Sequence, residues 1–318
     1  MKVLKFGGSS VSTPERIQDV ARIVLNAAKR EKIVVVVSAF QGVTNQLLDC
    51  ARLAASGNAR YENAFDDLAL RHRKTLASLL GTRVQKSTRT QIEQFLHDLH
   101  DALHGIYLLR DSPPRALDVT ASFGERLSAL IIASYLRRFS PSEYVDSRSC
   151  ITTDDQFTHA SVDFEETNAR TQKLFKQLFA RKKVVPIVTG FIGATEDGRT
   201  TTLGRNGSDY SAAIIGAALH ASVIEIWTDV DGIYSADPRA VSSAFVVPEM
   251  TYEEAMELSY FGAKVLHSAT IAPAVRENIP VHIKNTMNPA APGTLISKKA
   301  AAWSGVAKGI TSLRISHC

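Results

Sequence analysis

Val3-Leu4-Lys5-Phe6-Gly7-Gly8-Ser9-Ser10-Val11, near the start of the chain, decides how the rest is read. Residues 2–6 form a strand-like apolar run ending around one lysine, and two glycines and two serines make a turn. Ser12-Thr13-Pro14-Glu15 then carries a cap, an early proline and a capping-box glutamate, the signals that open a helix. Ile17, Val20, Ala21, Val24 and Ala28 share one face of that helix. Ile33-Val34-Val35-Val36-Val37 is continuously apolar and β-branched, as a parallel strand covered on both faces should be. A loop over 38–44 leads into another helix, so strand and helix alternate, the pattern of a parallel α/β sheet. The opening turn also has chemical potential. Glycines let N–H groups approach an anion, the following helix aims its positive end there, and Lys5 stands at the junction. Alone, the stretch reads equally as a buried turn after a first strand.

Over 61–110 the character changes: polar and charged residues dominate, with Leu68, Leu76, Leu80, Phe95, Leu99, Leu103 and Ile106 at helical spacing. This block is expected to be a helical insertion on one edge of the sheet, a solvated hairpin without chemistry, closed by Asp111-Ser112-Pro113-Pro114. Alternation then resumes. Strands are expected over 184–189, 223–228, 280–285 and 294–296, with a hairpin turn at Asp197-Gly198 and a capping box at Thr251-Tyr252-Glu253-Glu254.

The 318 residues are 45% hydrophobic and 22% charged, ordinary for a globular chain with one large α/β unit or two lobes. A net charge of +5 suits anionic small substrates, and no run of like charges suggests nucleic-acid binding. Cys50, Cys150 and Cys318 are odd in number and widely spaced, fitting neither a disulfide framework nor a metal site. With no signal peptide and no membrane-length apolar run, a reducing, cytoplasmic location is expected, without membrane or nucleic-acid partners.

The sequence contains no Gly-Lys and no Gly-x-Gly, which excludes the common phosphate loop and the dinucleotide fingerprint. Other stretches carry candidate chemistry. Thr202-Leu203-Gly204-Arg205-Asn206-Gly207-Ser208-Asp209-Tyr210-Ser211-Ala212 opens an apolar helix; Arg205 can clamp a carboxylate, and Ser208 or Asp209 can cap the helix. Trp227-Thr228-Asp229-Val230-Asp231-Gly232-Ile233-Tyr234-Ser235-Ala236-Asp237-Pro238-Arg239 follows a predicted strand at its carboxyl end, where open α/β sheets place ligands, and its turns also read as ordinary loop. Ser122-Phe123-Gly124-Glu125-Arg126 puts a carboxylate at a helix start, for dipole pairing or for a ligand. Phe261-Gly262-Ala263-Lys264-Val265-Leu266-His267 holds a lysine that either snorkels from a helix or meets an anion, and His267 reads as structural.

Taken in order, these stretches resemble the aspartokinase branch of the amino acid kinase family. Lys5 to Ser10, Ser38-Ala39-Phe40-Gln41-Gly42-Val43-Thr44-Asn45, Phe123 to Arg126, Gly204 to Ser211, Thr228 to Arg239 and Phe261 to His267 carry the likeness. Leu103-His104-Gly105-Ile106, the run Glu225 to Gly232 and Ile283-Lys284-Asn285-Thr286 look most like the kinase half of bifunctional aspartokinase–homoserine dehydrogenases. Ser268 stands where the family often has proline, and the sequence stops at Cys318, before the regulatory domains such enzymes carry, so no dehydrogenase activity is expected.

The resemblance implies a three-layer αβα sandwich with a mostly parallel sheet. An amino-acid lobe would span 1–198, an ATP lobe 199–297 and a tail 298–318. It also implies phosphorylation of the L-aspartate side chain by ATP with Mg²⁺, the first step of lysine, threonine and methionine synthesis, and a possible homodimer. Lys5 and Asp209 would be catalytic, Asp209 orienting the lysine. Glu125 would pair with the substrate ammonium and Arg205 with its α-carboxylate, near Ser38, Thr44 and Ser208. Gly7, Gly8 and Ser9 would donate to phosphate oxygens, Thr228, Asp229 and Tyr234 would contact the nucleoside, and Arg239 and Lys264 would face the phosphates. Kinases of the same fold acting on glutamate, acetylglutamate or a nucleoside monophosphate are the nearest alternatives, with a non-catalytic binding module behind them.

Overall fold

In β1 (Lys2–Phe6) the side chains alternate between two buried sides, as strand geometry requires. Val3 joins a core with Val34, Val36, Ala212 and Ile215, while Leu4 and Phe6 join another with Val20, Val35, Val37 and Leu47. This double burial explains the unbroken apolar run of β2 (Ile33–Val37). The computed structural model describes residues 1–181, 183–239, 241–260 and 268–300.

A 3-10 turn over Gly8–Val11 leads from β1 into α1 (Pro14–Ala28), where Thr13 Oγ1 accepts the Arg16 N–H and Pro14 occupies the first turn. After β2 come α2 (Val43–Ala55), α3 (Arg60–Leu80), α4 (Lys86–Leu109) and α5 (Pro114–Leu136). Next are β3 (Ser142–Val145), α6 (Phe164–Ala180), β4 (Val185–Thr189) and the hairpin of β5 (Ile192–Ala194) and β6 (Thr200–Thr202). The remainder is α7 (Gly207–Ala218), β7 (Val223–Thr228), β8 (Glu249–Thr251), α8 (Tyr252–Tyr260), α9 (Ser268–Arg276), β9 (Val281–Asn285) and β10 (Thr294–Ser297). The expected capping box forms: the Thr251 N–H donates to Glu254 Oε2 (2.8 Å), and the Glu254 N–H donates to Thr251 Oγ1 (3.2 Å).

Eight strands build one sheet in the order β3-β4-β2-β1-β7-β9-β10-β8. Neighbours from β3 to β9 are parallel, β10 is antiparallel to β9, and β8 is parallel to β10. The helices α1 to α5 cover one side and α6 to α9 the other, giving the expected three layers. β1 lies between β2 and β7, so the chain leaves it towards one edge of the sheet and returns on its other side. Ligands of open sheets sit in the crevice at such a reversal, outside the carboxyl ends of the strands. Among the described residues no helix is long and apolar enough to cross a membrane.

Two expectations are corrected. The 61–110 block is not a solvated hairpin: Tyr61, Phe65, Leu68, Leu96, Leu99 and Leu103 are buried in the same core as Leu47 of α2 and Leu130 of α5. Its apolar stripe was read correctly, but α2 and α5 cover it. Glu125 does not stand at a helix start, because α5 already begins at Pro114. A proline at the first helical position forfeits no hydrogen bond, so Pro113-Pro114 starts a helix as well as closing the previous segment. The short strands β3 and β8 were not anticipated.

Candidate functional site

A cavity of about 500 Å³ opens where the carboxyl ends of β1 and β2 meet α5 and the first turn of α7. It gathers Lys5, Ser38, Thr44, Glu125, Arg205, Ser208 and Asp209, residues far apart in sequence.

Lys5 is only 8% exposed, and its Nζ lies 2.6 Å from Asp209 Oδ1. The contact is an ion pair, and no aligned hydrogen bond completes that oxygen. Asp209 is not the helix cap. Asn206 holds that position with φ 55°, after Gly204 with φ 74°, a left-handed conformation that glycine adopts without steric cost. Asp209 is therefore free to face Lys5 from the positive end of α7.

The carbonyls of the glycine turn are occupied. The Gly7 carbonyl accepts the Ser10 N–H (2.9 Å) and the Gly8 carbonyl accepts the Gln41 N–H (3.2 Å). Ser9 O accepts from Ser12 Oγ (3.2 Å) and Arg16 Nη1 (2.5 Å). The Gly7 N–H is itself taken by the Trp227 carbonyl (3.2 Å), so of the three expected phosphate donors it is already committed. Gly8 is needed for close approach: a Cβ there would lie 3.0 Å from the Ala39 carbonyl oxygen.

On the acceptor side Asp118, Ala121 and Glu125 line the wall from successive turns of α5. Glu125 is 2% exposed; its Oε1 accepts the Ala39 N–H (3.1 Å) and its Oε2 has no partner. Burial pushes this carboxyl up to about 8, against the lowering effect of its backbone hydrogen bonds. Arg205 is exposed at the rim and pairs with nothing among the described residues.

Asp118, Thr158, Phe191 and Thr202 line the cavity and were missed. Asp118 accepts the N–H groups of Thr158 (2.9 Å) and Thr202 (3.0 Å) and the Thr202 hydroxyl (2.7 Å), while burial raises its pKa. Thr158 (φ 74°), Phe191 (φ 67°) and Asn206 (φ 55°) all have left-handed backbones, an arrangement costly for a β-branched or aromatic residue and concentrated around this one cavity.

The expected nucleoside residues follow β7, outside the cavity lining. Thr228 Oγ1 donates to Asp229 Oδ1 (3.2 Å), and the Thr228 carbonyl accepts the Thr286 N–H (2.9 Å). Asp231 is held by the side-chain amides of Asn285 (2.8 Å) and Asn288 (3.1 Å). Tyr234 forms a lone bridge with Val246. Arg239 does not line the cavity: its guanidinium meets Asp237 through Nε (3.1 Å) and Nη2 (2.9 Å) in an exposed turn. Lys264 and His267 lie outside the described residues.

One cavity thus gathers a lysine–aspartate pair, a buried carboxylate with one oxygen unpartnered and an exposed arginine. Residues 1–285 match the amino acid kinase family, and the chain belongs to it. Over 296 residues it is 38% identical to bifunctional aspartokinase/homoserine dehydrogenase 2, chloroplastic, of Arabidopsis thaliana, covering 92% of this chain and 32% of that protein. It is 38% identical over 323 residues to bifunctional aspartokinase/homoserine dehydrogenase of Haemophilus influenzae, covering 98% of this chain and 38% of that protein. The chain thus spans about a third of the length of these curated relatives. Its fold is similar to that of E. coli aspartokinase III in complex with aspartate and ADP, with TM-score 0.84 and 37% identity over 94% of this chain and 65% of that one.

Proposed function

We propose that this chain transfers the γ-phosphoryl group of ATP to the side-chain carboxylate of L-aspartate, giving 4-phospho-L-aspartate and ADP. The observation that carries the reading is the meeting of Glu125 Oε2, without a partner, with Arg205 and the Lys5–Asp209 pair around one cavity, with Gly7 of the glycine turn beside the Lys5 ammonium. The two ends of a free amino acid need an anion and a cation, which Glu125 and Arg205 supply. The relatives named as aspartokinases, and the aspartokinase III complex with aspartate and ADP, support the same substrates.

The acceptor carboxylate, with a reference pKa of about 3.9, is ionised at neutral pH and needs no general base. The barrier lies in bringing one anion up to another, so positioning and positive charge carry the catalysis. Lys5 stands between the turn and Asp209, where it meets the transferred phosphoryl group, and Gly8 and Ser9 offer the remaining N–H donors. Ser38, Thr44 and Ser208 border the amino acid. Residues 1–198 hold the acceptor together with Arg205 and Ser208, and 199–297 hold the nucleoside through Thr228, Asp229 and Tyr234, with Lys264 towards its phosphates. Among the described residues no three His, Cys, Asp or Glu side chains converge. A Mg²⁺ ion, held mainly by the nucleotide phosphates and water, would neutralise phosphate charge when bound.

A coupled ADP-release assay with L-aspartate, L-glutamate, N-acetylglutamate and UMP tests the reading. Aspartate should be the best acceptor; faster turnover of glutamate would overturn the assignment. Lys5→Ala should lower kcat by about 100-fold or more while leaving KM for aspartate within a few-fold, and an unchanged kcat would remove Lys5 from the transition state.

A further inference from the structure

The helical block 61–110 touches the loops beside the site through Arg71 and His72. Arg71, on α3, donates from Nη1 to the Gln41 carbonyl (3.0 Å) and from Nη2 to the Ser12 carbonyl (3.3 Å). Its guanidinium carbon lies 5.9 Å from the centre of the Phe40 ring. The same loop also rests on α3 where Phe40 stacks on the buried His72 at 5.0 Å and 11°. These contacts join two loops with different tasks. Residues 8–12 form the phosphate-facing turn, and 38–42 carry Ser38 and the Ala39 N–H that fixes Glu125. The loops touch where the Gln41 N–H meets the Gly8 carbonyl and where a Cβ on Gly8 would crowd Ala39 and Gln41.

We propose that Arg71 is a positioning residue: its planar fork bonds a carbonyl of each loop and so sets the register between the phosphate turn and the acceptor loop. The proposal rests on the aspartate kinase reading for its kinetic consequence and on geometry alone for the clamp. Arg71 lines neither substrate's place in the cavity. Its loss leaves the groups that bind each reactant intact but frees one reactant to shift against the other. Misplacement of about 1 Å costs on the order of 100-fold in rate. The effect therefore falls on kcat, and a lysine, which offers a single point charge, cannot replace the fork.

The test compares wild type, Arg71→Ala, Arg71→Lys and Arg73→Ala as full chains, by ADP-release kinetics and by hydrogen exchange of peptides covering 8–12 and 38–42. Arg73→Ala is the control: it removes the exposed pair with Glu93 (2.6 and 3.0 Å) between α3 and α4 without touching either loop. Arg71→Ala should lose about 10–100-fold in kcat, with both KM values within about threefold of wild type. Exchange should quicken in those two segments alone, added guanidinium should restore part of the rate, Arg71→Lys should remain impaired, and Arg73→Ala should match wild type. A kcat within about twofold of wild type, a rate loss without faster exchange, or equal losses in the Arg71 and Arg73 variants would each overturn the clamp. If Arg71→Ala does not fold, Arg71→Lys carries both readouts. The exchange arm needs no substrate, so it decides the clamp even if aspartate proves not to be the acceptor.

Discussion

Burial governs Glu125 more than any partner does. With one N–H on Oε1 and nothing on Oε2, its carboxyl is pushed up to about 8 and is mostly protonated at neutral pH. An incoming ammonium favours the ionised form, so binding should eject a proton. KM for aspartate should accordingly fall as pH rises towards 8 and level off above it, by at most about tenfold per unit. Glu125→Gln should weaken aspartate binding and abolish the slope; a variant retaining the slope would place the titrating group elsewhere. Stability of the ligand-free protein runs the opposite way to binding. The folded pKa lies above the unfolded value of about 4.3, so stability from the protonated form is complete at low pH and is lost as pH rises towards 8. The melting temperature of the ligand-free wild type should therefore drop relative to Glu125→Gln between pH 5 and pH 8. Among single residues, the sequence left Asp209 open between cap and partner, because either role uses the same residue at the same place. Asn206, in the left-handed region, settles it by taking the cap. Asp118 was invisible for a related reason: one carboxylate in a helix reads as solvated until three donors are found around it.

The helices α3 and α4 show how far periodicity reaches. The spacing of Leu68, Leu76, Phe95, Leu99 and Leu103 identifies two apolar stripes, and all five side chains are buried. Spacing says nothing about what covers a stripe, so a block with a polar surface was read as chemically silent. His72 makes the point within one element: amid polar neighbours it looks exposed, yet it is fully buried between α3 and Phe40. Burial lowers its pKa to about 4, with Arg71 adding to the effect and the hydrogen bond to the Leu68 carbonyl opposing it. The folded value lies below the unfolded value of about 6.5, so the stability it confers is present above that pH and is lost as pH falls towards 4. Replacing His72 by leucine should flatten this loss. Thermal melts at pH 6.5 and pH 4.5 should differ less for the variant than for wild type, and an equal difference would show that the imidazole does not titrate on unfolding. The strands β3 and β8 escaped detection because each is short and only half apolar, below what alternation can resolve.

The sheet itself was legible because its inner strands are buried on both faces and must be continuously apolar, a constraint that leaves its mark on any one sequence. The pairing of β1 with both β2 and β7 was not legible, since strand order depends on how crossovers pack. That order decides whether the expected lobes behave as separate bodies. Residues before and after 198 share one sheet, with Phe6 and Trp227 in register across β1 and β7 and their rings stacked at 5.9 Å. Trp227 belongs to the core formed with α1 to α5, although its strand lies in the second half of the chain. Chains of this size commonly unfold in stages, so cooperativity is not a default expectation. Here the shared strand pair predicts it. The sequence contains two tryptophans, Trp227 and Trp303, and Trp303→Phe leaves Trp227 as the sole fluorescent reporter of the β1–β7 junction. In urea, its fluorescence transition should superimpose on the far-UV circular dichroism transition. A tryptophan change completed while most helical signal persists would mean that the halves part along β1 and β7 before either unfolds, and would refute the single cooperative body.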